Sequence, residues 1–260
     1  MRVVLIGAGN LATNLAIALK QSNHDILQVY SRTIDSASLL ANKIGCGYAT
    51  DTNNIVDDAD LYVVSVKDSA LSSLIPSICK GKENKIFIHT AGSVDINVFK
   101  NATNNYGVLY PLQTFSKSRV LEFNDIPIFV EANNEYTYNF ISDVAKSISN
   151  RVYGLSSEDR KYLHLSAVFA CNFVNHCYAL SANILREHGI PFDVILPLID
   201  ETSRKVHSLS PIKAQTGPAI RFDENIINKQ LDLLKNELYA KSIYDLMCKS
   251  IHHLATENKK

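Results

Sequence analysis

MRVVLIGAGNLATNLAIAL, residues 1–19, is the stretch from which the rest of the chain is read. Val3 to Ile6 is an apolar, β-branched run that opens directly into Gly7-Ala8-Gly9-Asn10-Leu11-Ala12, the G-x-G-x-x-A form of a dinucleotide fingerprint. Gly7 allows the tight turn out of the strand, Gly9 lets the backbone approach a pyrophosphate, and Ala12 lets the next helix sit close to the sheet. From about Asn10 onward that helix presents free N–H groups and the positive end of its dipole to an anion, with no lysine needed. Leu11, Leu15, Ala18 and Leu19 give it an apolar face. A glycine turn alone is a weak signal; strand before and helix after are what strengthen it.

The next informative position is the end of the second strand, Ile26 to Tyr30, which runs into Ser31-Arg32-Thr33. A unit that binds NAD places an acid there for the ribose 2′-hydroxyl, whereas an arginine accommodates a 2′-phosphate. No Asp or Glu stands at this strand end, and a guanidinium between two hydroxyls suits a phosphate. The pattern favours NADP over NAD; the alternative is an exposed loop arginine, with Asp35 capping the following helix.

Further along, strands and helices alternate. Asp35 to Ile44 has a helical pattern, Tyr48-Ala49 is a brief strand, and Leu61 to Val66 is a near-continuous apolar run of the kind found in a parallel strand covered on both faces. Ligands lie beyond the carboxyl ends of such strands, so Val66 and Lys67 should pass the nicotinamide half of the cofactor. Lys67 is either there or simply solvated, and Asp68 is expected to N-cap a helix over Ser69 to Cys79. Lys85 to His89 delivers Thr90-Ala91-Gly92-Ser93 to the same edge, as a contact to nicotinamide or only as a turn. Strands at Gly107 to Tyr110 and Ile126 to Glu131 and a helix over Glu135 to Ser149 complete a doubly wound, mainly parallel α/β domain over residues 1–153.

From residue 154 to 260 the periodicity is helical, which predicts an all-α second domain. Its first helix, about Glu158 to Glu187, is apolar on most faces and should be buried in a bundle or an interface. Helices are expected from Pro191 to Val206, Glu224 to Glu237 and Ala240 to Ala255, with a loop over Ser208 to Phe222.

Composition excludes several classes. At 260 residues, 46% hydrophobic and 20% charged, with 26 basic and 26 acidic side chains, the chain has a globular balance. Zero net charge argues against non-specific nucleic-acid binding. The five cysteines form no C-x-x-C pair and their odd count suits a reducing cytoplasm. No apolar run is long enough for a membrane span, and the start is too interrupted for a signal peptide. No metal-ligand spacing or G-x-S-x-G occurs.

GAGNLA, SRT, YPLQTFS at Tyr110 to Ser116, HLSAVFACNFVNH at His164 to His176 and TGPAIRFD at Thr216 to Asp223 together resemble a group of bacterial Rossmann-like proteins with a C-terminal domain of unknown function. Members of that group are described as NADP oxidoreductases of the deazaflavin-dependent type. The wider kinship is with pyrroline-5-carboxylate and ketopantoate reductases and β-hydroxyacid dehydrogenases. The resemblance implies NADP bound at Gly7, Gly9, Asn10, Leu11, Ser31, Arg32 and Thr33, a small-molecule substrate between the domains, and a homodimer made through the helical domain. One departure stands out: the dehydrogenases carry lysine and, four residues later, asparagine on the interdomain helix, whereas here Lys161 is followed by Leu165.

On an ideal helix Asn172 lies about 80° and Asn175 about 20° around from His164, so the three would share one polar face. That makes His164 the candidate general acid for a carbonyl or imine receiving hydride, since its ordinary pKa lies near neutrality, and Asn172 the candidate to orient the acceptor. Buried His and Asn also bridge helices, and Arg221 could hold a carboxylate or pin its own loop through Asp223. The expected function is hydride transfer between NADPH and a small carbonyl, imine or redox-cofactor acceptor; the rival is a nucleotide sensor or scaffold that keeps the pocket without turnover.

Overall fold

Along β1 (Arg2–Ile6) side chains alternate between two apolar layers: Val3 and Leu5 face one, Val4 and Ile6 the other. The computed structural model describes residues 1–257, and its first unit, Met1–Asn172, is built around this strand. The elements after β1 are α1 (Asn10–Gln21), β2 (Asp25–Tyr30), α2 (Ile34–Ile44), β3 (Gly47–Ala49), β4 (Leu61–Val64), α3 (Asp68–Cys79), β5 (Ile86–His89), β6 (Asn105–Pro111), β7 (Ile128–Ala132), α4 (Glu135–Ile148), β8 (Val152–Gly154) and α5 (Ser157–Ala167).

The strands form one eight-stranded sheet in the order β3-β2-β1-β4-β5-β6-β7-β8. All neighbours are parallel except β6 and β7. The exception has a topological cause. No helix joins β6 to β7, and a parallel return needs a crossover, which α4 then supplies between β7 and β8. Leu15, Leu19, Leu40, Ile44 and Ile141 from α1, α2 and α4 fill one layer, and Leu71, Ile75 and Ile78 of α3 with Phe99 fill the other. Leu61 to Val64 is buried on both faces, as its unbroken apolar sequence requires.

Two local expectations change. Asp68 is the first residue of α3, not its N-cap: Lys67 holds the cap position and makes no side-chain capping bond, while the Asp68 carboxylate accepts from the Ser93 hydroxyl. The compact division falls after Asn172, well beyond Tyr153, because α5 is fastened to the Rossmann sheet. Arg160, 1% exposed, donates to Glu131 of β7 at 2.5 Å and to the Val94 carbonyl at 2.6 Å.

After α5 the chain runs through a π-helical stretch, Val168–Phe173, into α6 (Val174–Glu187). The second unit, from Phe173 on, contains α6, α7 (Leu196–Ser208), α8 (Pro211–Ala214), α9 (Pro218–Arg221), α10 (Glu224–Leu233) and α11 (Leu238–Glu257). Ser208 to Phe222, expected as a loop, holds two single-turn helices, each begun by a proline whose fixed φ suits the first helical position. Gly217 at φ +102° and Phe222 at φ +52° shape this segment, the Asp223 carboxylate caps α10, and Phe222 packs on His252 with ring centroids 4.7 Å apart. Among the described residues its buried apolar core is only Ala219, Ile227 and Cys248, and α6, expected to be buried in a bundle or an interface, contains no buried residue in the single chain. Among the described residues no helix is long and apolar enough to cross a membrane, and no cluster of His, Cys, Asp or Glu could hold a metal ion.

Candidate functional site

A cleft of about 930 Å³ opens along the carboxyl ends of β1, β2, β4, β5 and β6. Every residue assigned to the cofactor from sequence lines it: Gly7, Gly9, Asn10 and Leu11 from the first turn, Ser31, Arg32 and Thr33 after β2, Val66 and Lys67 after β4, and Thr90 after β5. His164 lines it as well, on α5.

The two glycines of the turn differ in what they permit. Gly7, at φ +119°, has its amide bonded to the Tyr30 carbonyl at 2.8 Å, and a Cβ there would lie 2.7 Å from the carbonyl carbon of Ser65 and still nearer its oxygen. Gly9, at φ −78° and ψ −172°, is ordinary extended backbone, and a Cβ on it would meet nothing within 4 Å because it would stand in the cleft. Behind it α1 begins with no acidic residue in its first turn and no side-chain cap, so its dipole is not offset there. This uncapped helix end, with open space above Gly9, fits a pyrophosphate. At the end of β2 the exposed Arg32 guanidinium makes no ion pair among the described residues and stands with Ser31, Thr33 and Ser36 on the cleft wall. That set suits a 2′-phosphate.

At the other end of the cleft the Tyr110 hydroxyl and His164 Nδ1 are 3.0 Å apart. Burial raises the Tyr110 phenol, with the Arg160 charge opposing and Asp68 reinforcing, so the hydroxyl keeps its proton near neutral pH. Gly92 lies against both rings: a Cβ there would sit 2.6 Å from His164 Nδ1 and 2.9 Å from Tyr110 Cζ. The Thr90-to-Ser93 turn is therefore more than a chain reversal, because it brings a side-chain-free residue against the pair. Just before it, burial, reinforced by Arg160, pushes His89 down to about 3. The neutral ring accepts from the Ala91 amide at 3.2 Å.

Asn172 does not join this group. It is exposed in the π stretch and absent from the cleft wall. A π turn carries about one more residue than an α turn, so the 100° spacing that put Asn172 and Asn175 on the face of His164 does not hold across it. Arg221 lies in the second unit and does not line the cleft.

Sequence inspection missed three contributors. Tyr110 and Gly92 are joined to His164 only by the fold. Asn14, fully buried in α1, donates to the Ser116 carbonyl at 3.0 Å and accepts from the Leu121 amide at 3.0 Å. It holds the segment that brings Gln113, Phe115 and Lys117 to the cleft. A polar residue on the otherwise apolar face of α1 was the available signal.

Residues 2–92 match the family described as NADP oxidoreductase, coenzyme F420-dependent, and residues 126–251 match a domain of unknown function, DUF2520. A Bacteroides fragilis protein assigned as an NADP oxidoreductase is 52% identical in its crystal structure; the alignment covers 97% of this chain and 98% of that one, with a TM-score of 0.94. A Thermotoga maritima protein is 21% identical, covering 98% and 99%, with a TM-score of 0.78. An imine reductase from Myxococcus stipitatus, in complex with NADP+, is 15% identical, covering 99% and 95%, with a TM-score of 0.68. These last two share the fold. A curated relative, glutamyl-tRNA reductase of Picrophilus torridus, is 22% identical over 253 residues, and the chain spans 57% of its length.

Proposed function

This chain belongs to the family of Rossmann-type NADP oxidoreductases that carry the DUF2520 domain, and we propose that it transfers hydride between NADPH and a small carbonyl, imine or redox-cofactor acceptor. The observation that supports this most is the uncapped start of α1 beneath the open cradle at Gly9. The Gly7-to-Leu11 turn would hold the pyrophosphate, Ser31, Arg32 and Thr33 the 2′-phosphate, and Val66, Lys67 and Thr90 the nicotinamide half. The bound nicotinamide supplies the hydride chemistry. The chain's own part is to orient the acceptor and to give its heteroatom a proton, for which His164 is the group at hand. A polar pair on the cleft wall favours turnover over nucleotide sensing, which needs no proton donor there.

Calorimetric titration tests the reading. NADPH should bind the wild-type protein more tightly than NADH. Arg32→Ala should weaken NADPH by about 10- to 100-fold, the worth of one charged hydrogen-bonded contact, and leave NADH unchanged. Equal binding of both nucleotides by both proteins would remove Arg32 from the site, and no binding would remove the reductase reading.

The same reading includes a homodimer through the helical unit. Three buried apolar side chains cannot offset the roughly 1–2 kcal/mol per residue of backbone ordering that such a unit requires, while Leu198, Leu233, Leu238, Tyr239 and Leu246 are each at least two-thirds exposed. Burying such side chains against a second copy stabilises by about 1.5–3 kcal/mol apiece. Sedimentation at twice the 28.9 kDa chain mass is expected; a monomer at high micromolar concentration would refute it.

A further inference from the structure

His164 can serve as a proton donor only if the proton is on the ring nitrogen that faces the acceptor, and the structure bears on which nitrogen that is. Nδ1 is engaged by the Tyr110 hydroxyl at 3.0 Å, and no other protein group bonds to the ring among the described residues. Resting on the reductase reading above, we propose that Tyr110 is a positioning residue that fixes His164 in the Nε2–H tautomer, so that the ring offers its proton to the cleft, and that Gly92 is the space in which the pair is set.

The direction of the hydrogen bond decides the tautomer. In the proposed arrangement the protonated phenol donates to Nδ1, and a neutral imidazole that accepts at Nδ1 carries its hydrogen on Nε2. Tyr110 is well placed for this. It is 8% exposed, it sits at the end of β6 where the strand fixes its direction, and its ring meets that of His164 edge-on with centroids 6.2 Å apart. The pair also balances the proton transfer. When the acceptor carbon has received hydride, its anionic oxygen or nitrogen takes the Nε2 proton. Nδ1 takes the phenol proton in the same movement, and a solvent proton delivered to Nε2 from the open cleft then sends the Nδ1 proton back to the Tyr110 oxygen, which restores the Nε2–H tautomer. An alkoxide or amide anion is a much stronger base than a phenolate, so both transfers run downhill. His164 is never left as an imidazolate. Gly92 is the third part, since any side chain on it would push the imidazole off the hydroxyl.

The test reads the ring nitrogens directly, on protein labelled with ¹⁵N-histidine, with the His164 signals assigned by their loss in His164→Asn. In the wild-type protein near neutral pH, with and without NADPH, His164 should show a protonated Nε2 and an unprotonated, hydrogen-bonded Nδ1. Tyr110→Phe should convert this to a mixture of both tautomers. Gly92→Ala, which keeps the tyrosine but separates the rings, should do the same. NADPH affinity should stay within about twofold of wild type in Tyr110→Phe, which separates loss of positioning from loss of the site. A wild-type ring protonated at Nδ1, or a tautomer unchanged in both variants, would overturn the inference while leaving the reductase reading intact. Failure of the wild-type protein to bind NADPH would overturn both.

Discussion

Gly7→Ala is expected to destabilise the fold strongly, while Gly9→Ala should fold normally and lose the nucleotide. The two glycines are two positions apart in one turn, and the contrast follows from what surrounds each. Gly7 sits at φ +119°, outside the range an L side chain adopts without strain, and its missing Cβ would run into the Ser65 backbone. That backbone cannot move aside, because the Ser65 amide continues the β1–β4 ladder with a 2.7 Å bond to the Ile6 carbonyl. Strain of about 1–3 kcal/mol from the dihedral and a similar amount from overpacking add to about 2–6 kcal/mol. Total stability is only about 5–15 kcal/mol. With roughly 2–4 °C per kcal/mol for a unit of this size, a melt followed by circular dichroism should fall by about 5–20 °C if soluble protein is obtained at all. Gly9→Ala should melt within a few degrees of wild type, since its backbone is extended and its Cβ enters open space. Its NADPH affinity should fall by about 100-fold or more, because the methyl group would occupy the approach to the pyrophosphate. Wild-type melting for Gly7→Ala would refute the account of the turn; wild-type NADPH binding for Gly9→Ala would move the phosphates elsewhere.

The same contrast explains what the sequence could disclose. The Rossmann half of the chain follows local rules: an apolar strand, a small-residue turn, a helix, and a ligand at the strand's carboxyl end. Gly7, Arg32, Lys67 and Thr90 each stand next to a strand end in the sequence, so their place along the cleft follows from the order of elements alone. Tyr110 and His164 are 54 positions apart, and Asn14 and Leu121 are 107 apart. Nothing local marks such pairs. Asn172 stands off the cleft wall for the opposite reason. Constant helical spacing, a local rule, does not carry through Val168–Phe173, where the helix is not α. The second unit was legible as helical and no further, because its apolar positions do not resolve into one buried face within a single chain.

Arg160 shows how far a long-range pair can reverse a residue's apparent role. An arginine directly after two acids, in Glu158-Asp159-Arg160, has the look of a solvated helix surface, yet it is 1% exposed. Its Nη1 donates to Glu131 at 2.5 Å, and its Nη2 donates to the Val94 carbonyl and to the Ser157 hydroxyl at 3.0 Å. Ser157 in turn donates to Glu131 at 2.6 Å and accepts from the Ile96 amide at 3.0 Å. The cluster therefore ties α5 to β7 and to the segment after Gly92. His164 lies four residues on, one turn along the same face of α5, so the anchor fixes the height at which its ring meets Tyr110. Arg160→Met should cost about 3–5 kcal/mol, because it leaves the Glu131 carboxylate without its cation and the Val94 carbonyl without its donor in a largely buried place. Glu131→Leu alone should cost a similar amount, and the double variant should cost clearly less than the sum, with a coupling of about 1.5–3 kcal/mol in denaturant melts. Additive losses would mean that the two charges are not the anchor. Raising salt should change none of these values much, since buried pairs are weakly screened. NADPH binding should survive in Arg160→Met, because Gly7, Gly9 and Arg32 lie on other elements, whereas the ¹⁵N signature of His164 should not. A helix freed at its first turn loses the height of its histidine before it loses the nucleotide.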